Sequence, residues 1–307
     1  VLPEEGLTVY WRRHGPGDTE GVVVNMVFNK LITAATVIFT ALAVGMGTAL
    51  AANVDGHAAP WQLGLQNPGA VGMERMISFH NMLLVIITAI VLFVLALMIY
   101  IIVRFNKTAN PTPSKTSHNT FIEIVWTVVP IMILVFIAIP SFKLLYFKDR
   151  VPPADITLKA TGNQWYWSYE YPDNGFGFDT FIVDDANLKP GQLRLLTTDN
   201  HVVVPVNKTV RVIITATDVI HSWAVPALGV KTDGEPGHLN ETWFRADKEG
   251  TYYGQCSELC GIRHGFMPIM VEVVSQEKYD AWLKEAKEKF ASSGASTVKV
   301  ASAEQLK

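Results

Sequence analysis

Two uninterrupted uncharged runs, Met82–Val103 and Ile124–Phe142, constrain this chain more than any other feature. A bilayer's hydrocarbon core takes about 20 residues of α-helix, and both runs reach that length. In lipid only helices and closed barrels satisfy every backbone N–H and C=O. The runs therefore predict a two-helix transmembrane hairpin, with helices over 79–104 and 121–143. Pro130 and Pro140 fit the second helix, because proline is commoner in membrane helices than in soluble ones. The connection 105–120 carries Lys107 and Lys115 beside Arg104, with no acid before Glu123, which favours a cytoplasmic loop. Lys143, Lys148 and Arg150 follow the second run and pull the other way.

A further apolar run, Leu31–Leu50, follows Asn29-Lys30 and ends in Ala49-Leu50-Ala51. A positive start, an apolar stretch and small residues at its end describe a secretory signal peptide. It is expected over 26–51, with 1–25 as upstream or leader sequence and 52–78 as the N-terminal segment. The alternative is a third span over Leu31–Ala52. If the signal is cleaved, the mature N-terminus starts outside. Two crossings then return everything after residue 143 to the outer face, the periplasmic side of a bacterial inner membrane.

Only 17% of the 307 residues are charged, and the net charge is −3, which gives no global attraction for nucleic acid. From 153 to 274 the pattern changes to short β-rich runs, such as 155–158, 192–197 and 210–215. Asp173-Asn174-Gly175 and Pro190-Gly191 mark turns between them. Such punctuation predicts an all-β Greek-key sandwich or barrel. Beyond it, 275–307 reads as a C-terminal helix and a tail, with Tyr279, Trp282, Leu283, Ala286 and Phe290 at helical spacing.

The only cysteines, Cys256 and Cys260, are too close in sequence to stabilise a fold by closing a long loop. With His264 and Met267 they place two thiols, an imidazole and a thioether within CSELCGIRHGFM. Soft and borderline ligands of this kind select copper over hard cations, and zinc gains nothing from the methionine. One cysteine would suit a mononuclear blue-copper site, whereas a second can bridge two copper ions. A plain disulfide is the alternative for the pair taken alone. His221, in Asp218-Val-Ile-His221 after the run VRVIITATD, is a candidate for another imidazole.

CSELCGIRHGFM resembles the CuA-binding loop of cytochrome c oxidase subunit II. TGNQWYWSYEYP (161–172), DVIHSWAVPALGVKTDGEPG (218–237) and FIEIVWTVVP (121–130) resemble further segments of that family, in the same order. The resemblance implies a cupredoxin-like domain in which Cys256 and Cys260 bridge two coppers. It implies that His221 and His264 each bind one copper, and that Met267 and the Glu258 carbonyl complete the set. The Glu258 carboxylate would bind Mg²⁺ or Mn²⁺ at the interface with subunit I. Trp165 would be where electrons come in, and Glu123 would mark the mouth of a proton path. Haems would belong to subunit I only. The implied partners are cytochrome c, subunits I and III, and membrane lipid.

By position the implied docking acids are Glu170, Asp199, Asp218 and Asp233. Val151–Met270 holds 14 Asp/Glu against 9 Lys/Arg, a balance that suits a basic partner. Read without the resemblance, each acid is a solvated surface charge and Glu123 a helix-start carboxylate stabilised by the dipole. The run Trp165, Trp167, Tyr169, Tyr171 is also the alternation of one strand. The chain departs from the family at Asn163, where His is frequent, and at His238, where Arg is usual; Glu235 adds an acid. The competing functions are a membrane-tethered cupredoxin carrier outside any oxidase, a quinol-oxidase relative and a nitrous oxide reductase-type domain. The copper ligands count against the second, and the two spans against the third.

Overall fold

The computed structural model describes residues 56–291. The expected leader, signal peptide, alternative third span and terminal tail fall outside them. Helix α1 spans Val71–Arg104 and α2 spans Thr120–Asp149. At 1.5 Å per residue they are about 50 and 45 Å long, well beyond a hydrocarbon core of about 30 Å. Both are long and apolar enough to cross a membrane.

Each helix outlasts the span read from its uncharged residues: α1 starts at Val71 rather than 79, and α2 runs on to Asp149 rather than 143. Uncharged length marks the lipid-facing part, whereas Glu, Arg and Lys are good helix formers that carry the same helix into the headgroup layer. Two loop asparagines close the ends that the connection joins. Asn106 Nδ2 donates to the Ile102 and Val103 carbonyls of α1, and Asn119 Oδ1 accepts the Ile122 N–H of α2.

Ten strands follow: β1 Ile156–Asn163, β2 Tyr166–Tyr171, β3 Phe176–Thr180, β4 Val202–Pro205, β5 Val210–Ala216, β6 His221–Val225, β7 Val230–Gly234, β8 Asn240–Phe244, β9 Gly250–Gln255 and β10 Pro268–Val274. They form a five-stranded sheet in the order β3-β2-β1-β5-β8, a three-stranded sheet β4-β10-β9, and the pair β6-β7. The pairs β1–β5 and β4–β10 are parallel and the rest antiparallel. These crossovers make a cupredoxin-like sandwich rather than a meander.

Alternation selects the core. In β2, Trp167, Tyr169 and Tyr171 are fully buried while the residues between them are half-exposed. In β5, Val210, Val212 and Ile214 are buried, in one core cluster with Ile269, Val271 and Val273 of β10. The hydroxyls of the two fully buried tyrosines of β2 are satisfied. Tyr169 Oη accepts the Trp223 indole N–H at 3.0 Å, and Tyr171 Oη donates to the Val203 carbonyl at 2.9 Å and accepts its N–H at 3.1 Å. Helix α3, Gln276–Ala291, sets Trp282 against Tyr171 and Phe290 against Phe178.

The strand expected at 192–197 is instead a turn. Leu195 is left-handed at φ 64°, and Leu196 N–H and Thr197 Oγ1 both bond to the Leu193 carbonyl. Local hydrogen bonds close here before any ladder partner is met.

Candidate metal centre

The site lies at one end of the sandwich, where β9 runs out into the loop 256–267 and returns as β10. The opposite wall is the first residue of β6, His221. A bond from Ser257 N–H to the Ser222 carbonyl (3.1 Å) ties the loop to that strand. Cys256 Sγ lies 3.8 Å from His221 Nδ1, 3.4 Å from the Glu258 carbonyl and 3.9 Å from Cys260 Sγ. Cys260 Sγ in turn lies 3.5 Å from His264 Nδ1 and 3.6 Å from Met267 Sδ. The four other groups expected around the metal thus converge on the two sulfurs.

The separation of the thiols decides what they can do. A disulfide needs about 2.05 Å between sulfurs, and 3.9 Å is far outside that. It is also shorter than twice a metal–thiolate bond of about 2.3 Å. An ion bound to both sulfurs must therefore lie off the line joining them, leaving the other side for a second. One imidazole stands beside each sulfur, so the donor set fits a copper pair.

Burial excludes water. His221, Cys256, Cys260 and Met267 are all buried, His264 is half-buried, and the Glu258 carboxylate faces solvent while its carbonyl faces the sulfurs. Burial raises the Cys256 thiol, but hydrogen bonds involving His221 and the backbone at Ser222 and Glu258 outweigh it and bring the thiol down to about 7. Burial and the neighbouring Cys256 charge push Cys260 up to about 12. Without metal the pair carries one negative charge in preference to two.

Three residues outside the loop shape the site. Asp218 Oδ1 lies 2.8 Å from His221 Nε2, so the imidazole's outer nitrogen is held and Nδ1 faces the sulfurs. The Asp218 carboxylate also accepts the N–H groups of Val219 and Gln164 at 2.7 Å each. Burial raises its pKa, but the bond to His221 and these backbone bonds outweigh that and hold it below the usual carboxylate value. Gly162 lets β1 pass the imidazole, since a Cβ there would stand 2.7 Å from His221 Cγ. Gln164 Nε2 donates to the Cys260 carbonyl at 2.7 Å. The D-x-x-H spacing was a visible signal for the first of these; the other two depend on strand pairing.

Trp165 is half-buried at the rim, and its indole N–H donates to the same Cys260 carbonyl at 3.3 Å. The remaining expected residues are dispersed. Glu170 is paired with Lys159 at 2.7 Å across the β1–β2 ladder. Asp199 accepts the Phe181 and Asn200 N–H groups. Asp233 faces Ser222 across β6–β7, with no side-chain partner among the described residues. Glu123 occupies the first turn of α2, at the far end of the hairpin from the copper ligands.

Family models now settle the relationship. Residues 156–274 match the cytochrome C oxidase subunit II periplasmic domain, and 58–144 match the transmembrane domain of the same subunit. The chain belongs to the cytochrome c oxidase subunit II family. A probable cytochrome c oxidase subunit 2 of Rickettsia bellii is 56% identical over 236 residues, covering 76% of this chain and 87% of that protein. The subunit 2 of Zea mays is 48% identical over 234 residues, covering 74% and 90%. The crystal structure of the periplasmic domain of subunit II from Bradyrhizobium japonicum is 58% identical, covering 46% of this chain and 99% of that one, with a TM-score of 0.43.

As a cytochrome c oxidase subunit II, the chain is a two-pass membrane protein and an electron-transfer component of a haem–copper oxidase. The family implies a copper centre, and the structure holds a His221–Cys256–Cys260 cluster whose ligand atoms lie within 4.8 Å of one another. A carrier that belongs to no oxidase is thereby set aside.

Proposed function

We propose that the chain accepts single electrons from cytochrome c through Trp165 and delivers them, by way of a dinuclear CuA centre, to a haem of subunit I. The observation that carries this reading is the shared Cys260 carbonyl: it belongs to one of the two cysteines that would hold the copper and receives the indole N–H of Trp165, half-buried at the rim. A copper pair held by His221, Cys256, Cys260, His264, Met267 and the Glu258 carbonyl supplies reversible one-electron redox chemistry.

The protein's own groups do the rest. Cys256 and Cys260 would hold the copper through their thiolates, which would spread the change in charge, and the buried shell around them excludes solvent that would otherwise reorganise. Asp218 fixes the His221 ring, as metal-bound histidines generally require. Among the docking acids, Asp218 and Asp233 flank β6 beside His221 and are favoured for steering a basic partner. Glu170 contributes less, because Lys159 offsets its charge.

The exposed Glu258 carboxylate is assigned to Mg²⁺ or Mn²⁺, which subunit I must complete, since one carboxylate does not make such a site. Glu123 is assigned to the proton-path mouth, subunit III to the complex, and the β domain to the periplasmic face of a bacterial inner membrane.

The test is Trp165→Phe in the assembled oxidase, followed by stopped-flow reduction with reduced cytochrome c. The reading requires slow copper reduction with copper content and spectrum intact. Unchanged kinetics would remove Trp165 from the path.

A further inference from the structure

Neither the copper site nor electron transfer accounts for the cations at the β-domain end of the hairpin. In the orientation proposed above, this is the end that the positive-inside rule leaves poor in Lys and Arg. Yet Lys143 and Lys148 lie there on α2, Arg150 just past its end, and Arg75 of α1 against Phe147 of α2.

Three of the four are built into an aromatic collar, and Lys143 is exposed beside it. The Arg75 guanidinium sits 3.7 Å from the centroid of the Phe147 ring. Phe147 meets Trp243 of β8 edge to face at 5.1 Å. Lys148 Nζ lies 5.9 Å from the Trp243 ring and against Gly72 of α1, where an added Cβ would be 3.0 Å away. Arg150 lies 5.5 Å over Tyr146. Aromatic faces attract cations, but they do not neutralise them.

No carboxylate among the described residues comes within ion-pair distance of any of the four. Two acids, Glu74 and Asp149, are adjacent and exposed, so the collar keeps an excess of positive charge. Trp243 adds an independent sign. It is 8% exposed, and its indole N–H is buried without a hydrogen-bond partner.

Depth identifies the occupant. At 1.5 Å per residue, Lys143 to Lys148 lie about 1.5 to 9 Å beyond Phe142, and Arg75 about 10 Å beyond Met82. The headgroup layer occupies about 5–8 Å on each side of the hydrocarbon core, and long cationic side chains reach along it. Lys143 and Tyr146 share one exposed face of α2 at i and i+3, and Arg150, the residue just past the helix, lies over Tyr146. A phosphodiester supplies the negative charge and the acceptor oxygens that these donors lack, in charge-assisted bonds.

We propose that the collar of Arg75, Lys148, Arg150 and Trp243, with Lys143 beside it, binds the phosphate of an anionic phospholipid in the leaflet on the β-domain side. A zwitterionic headgroup would bring a further cation against an already positive surface. The lipid would brace the joint between the hairpin and the β domain, where Phe147 and Trp243 meet.

The experiment reconstitutes the purified oxidase containing the full chain into phosphatidylglycerol vesicles or matched phosphatidylcholine vesicles. After re-extraction, native mass spectrometry counts the lipid retained. Wild type is expected to keep phosphatidylglycerol and not phosphatidylcholine, and inorganic phosphate is expected not to displace it. Arg75→Gln with Lys148→Met should lose it, binding about fivefold more weakly for each cation removed. Normal copper content reports that the variant folds. Should that variant lose its copper, the exposed pair Lys143→Gln with Arg150→Gln gives the reading instead. Equal retention by wild type and folded variants, equal retention of phosphatidylcholine, or displacement by inorganic phosphate would each overturn the proposal.

Discussion

His221 and Asp218 form a pair in which the carboxylate, 2.8 Å from Nε2, turns the other ring nitrogen toward the sulfurs. Sequence position alone made Asp218 a docking acid; its geometry makes it first a support for the histidine. Supporting carboxylates of this kind change metal affinity by about 10–100-fold when removed. Asp218→Ala should lower copper affinity within that range, and Asp218→Asn, which keeps a hydrogen-bonding oxygen, should lower it less. Competition titration with a copper chelator measures both. Equal affinity in all three proteins would reduce the pair to a surface contact.

Gly162→Ala probes the same ring from behind. The new Cβ would approach His221 Cγ to 2.7 Å, so either the strand or the imidazole must shift. Overpacking of this kind costs about 1–3 kcal/mol. The expected result is a lower unfolding midpoint together with reduced copper loading, read by calorimetry and metal analysis on one preparation.

Copper uptake by the metal-free protein should depend on pH in two regimes. Metal binding requires thiolates. Cys260, raised to about 12, gives up a proton throughout the usable range, whereas Cys256, at about 7, gives one up only on the acid side. Proton release by the thiols should therefore rise from about one well above pH 7 to about two well below it. His221 stands above 6.5 because its contacts with Cys256 and Asp218 outweigh the effect of burial, and it adds to the acid-side release. Copper affinity accordingly climbs with pH throughout the usable range, less steeply past neutrality, where about one proton rather than two is released. Indicator-dye measurements of proton release at several pH values give the count directly.

Tyr171→Phe tests the core without touching the site. The lost hydroxyl would leave the Val203 N–H and carbonyl unpaired in the interior. An unsatisfied buried group costs about 1–3 kcal/mol. Denaturant unfolding of the copper-loaded protein should show that loss while the copper spectrum stays unchanged.

What the sequence disclosed, and what it hid, divides along one physical line. Cys256, Cys260, His264 and Met267 are neighbours in sequence, and the uncharged runs of α1 and α2 are continuous, so both were legible as local patterns. The aromatic alternation of β2 and the packed face of α3 followed from strand and helix periods. Contacts between distant segments were not legible. The reach of Gln164 and Trp165 to the Cys260 carbonyl spans about 95 residues and exists only once β1 and β2 are placed against the β9–β10 loop. The Lys159–Glu170 pair likewise needs the β1–β2 register, which single-sequence patterns do not give. The strand expected at 192–197 had suitable residues, yet a left-handed Leu195 and local bonds to Leu193 made it a turn.

Cys256→Ser and His221→Ala bear on the centre itself, and both should remove the paired copper while leaving the hairpin able to insert, as membrane fractionation would report. The sharpest measurement is the copper-to-protein ratio of the wild-type chain, taken with its electron paramagnetic resonance spectrum. Two coppers per chain and one unpaired electron delocalised over both are the outcome required by thiols 3.9 Å apart with an imidazole beside each. A single copper with a localised signal, zinc in its place, or a disulfide between Cys256 and Cys260 in the assembled protein would contradict it.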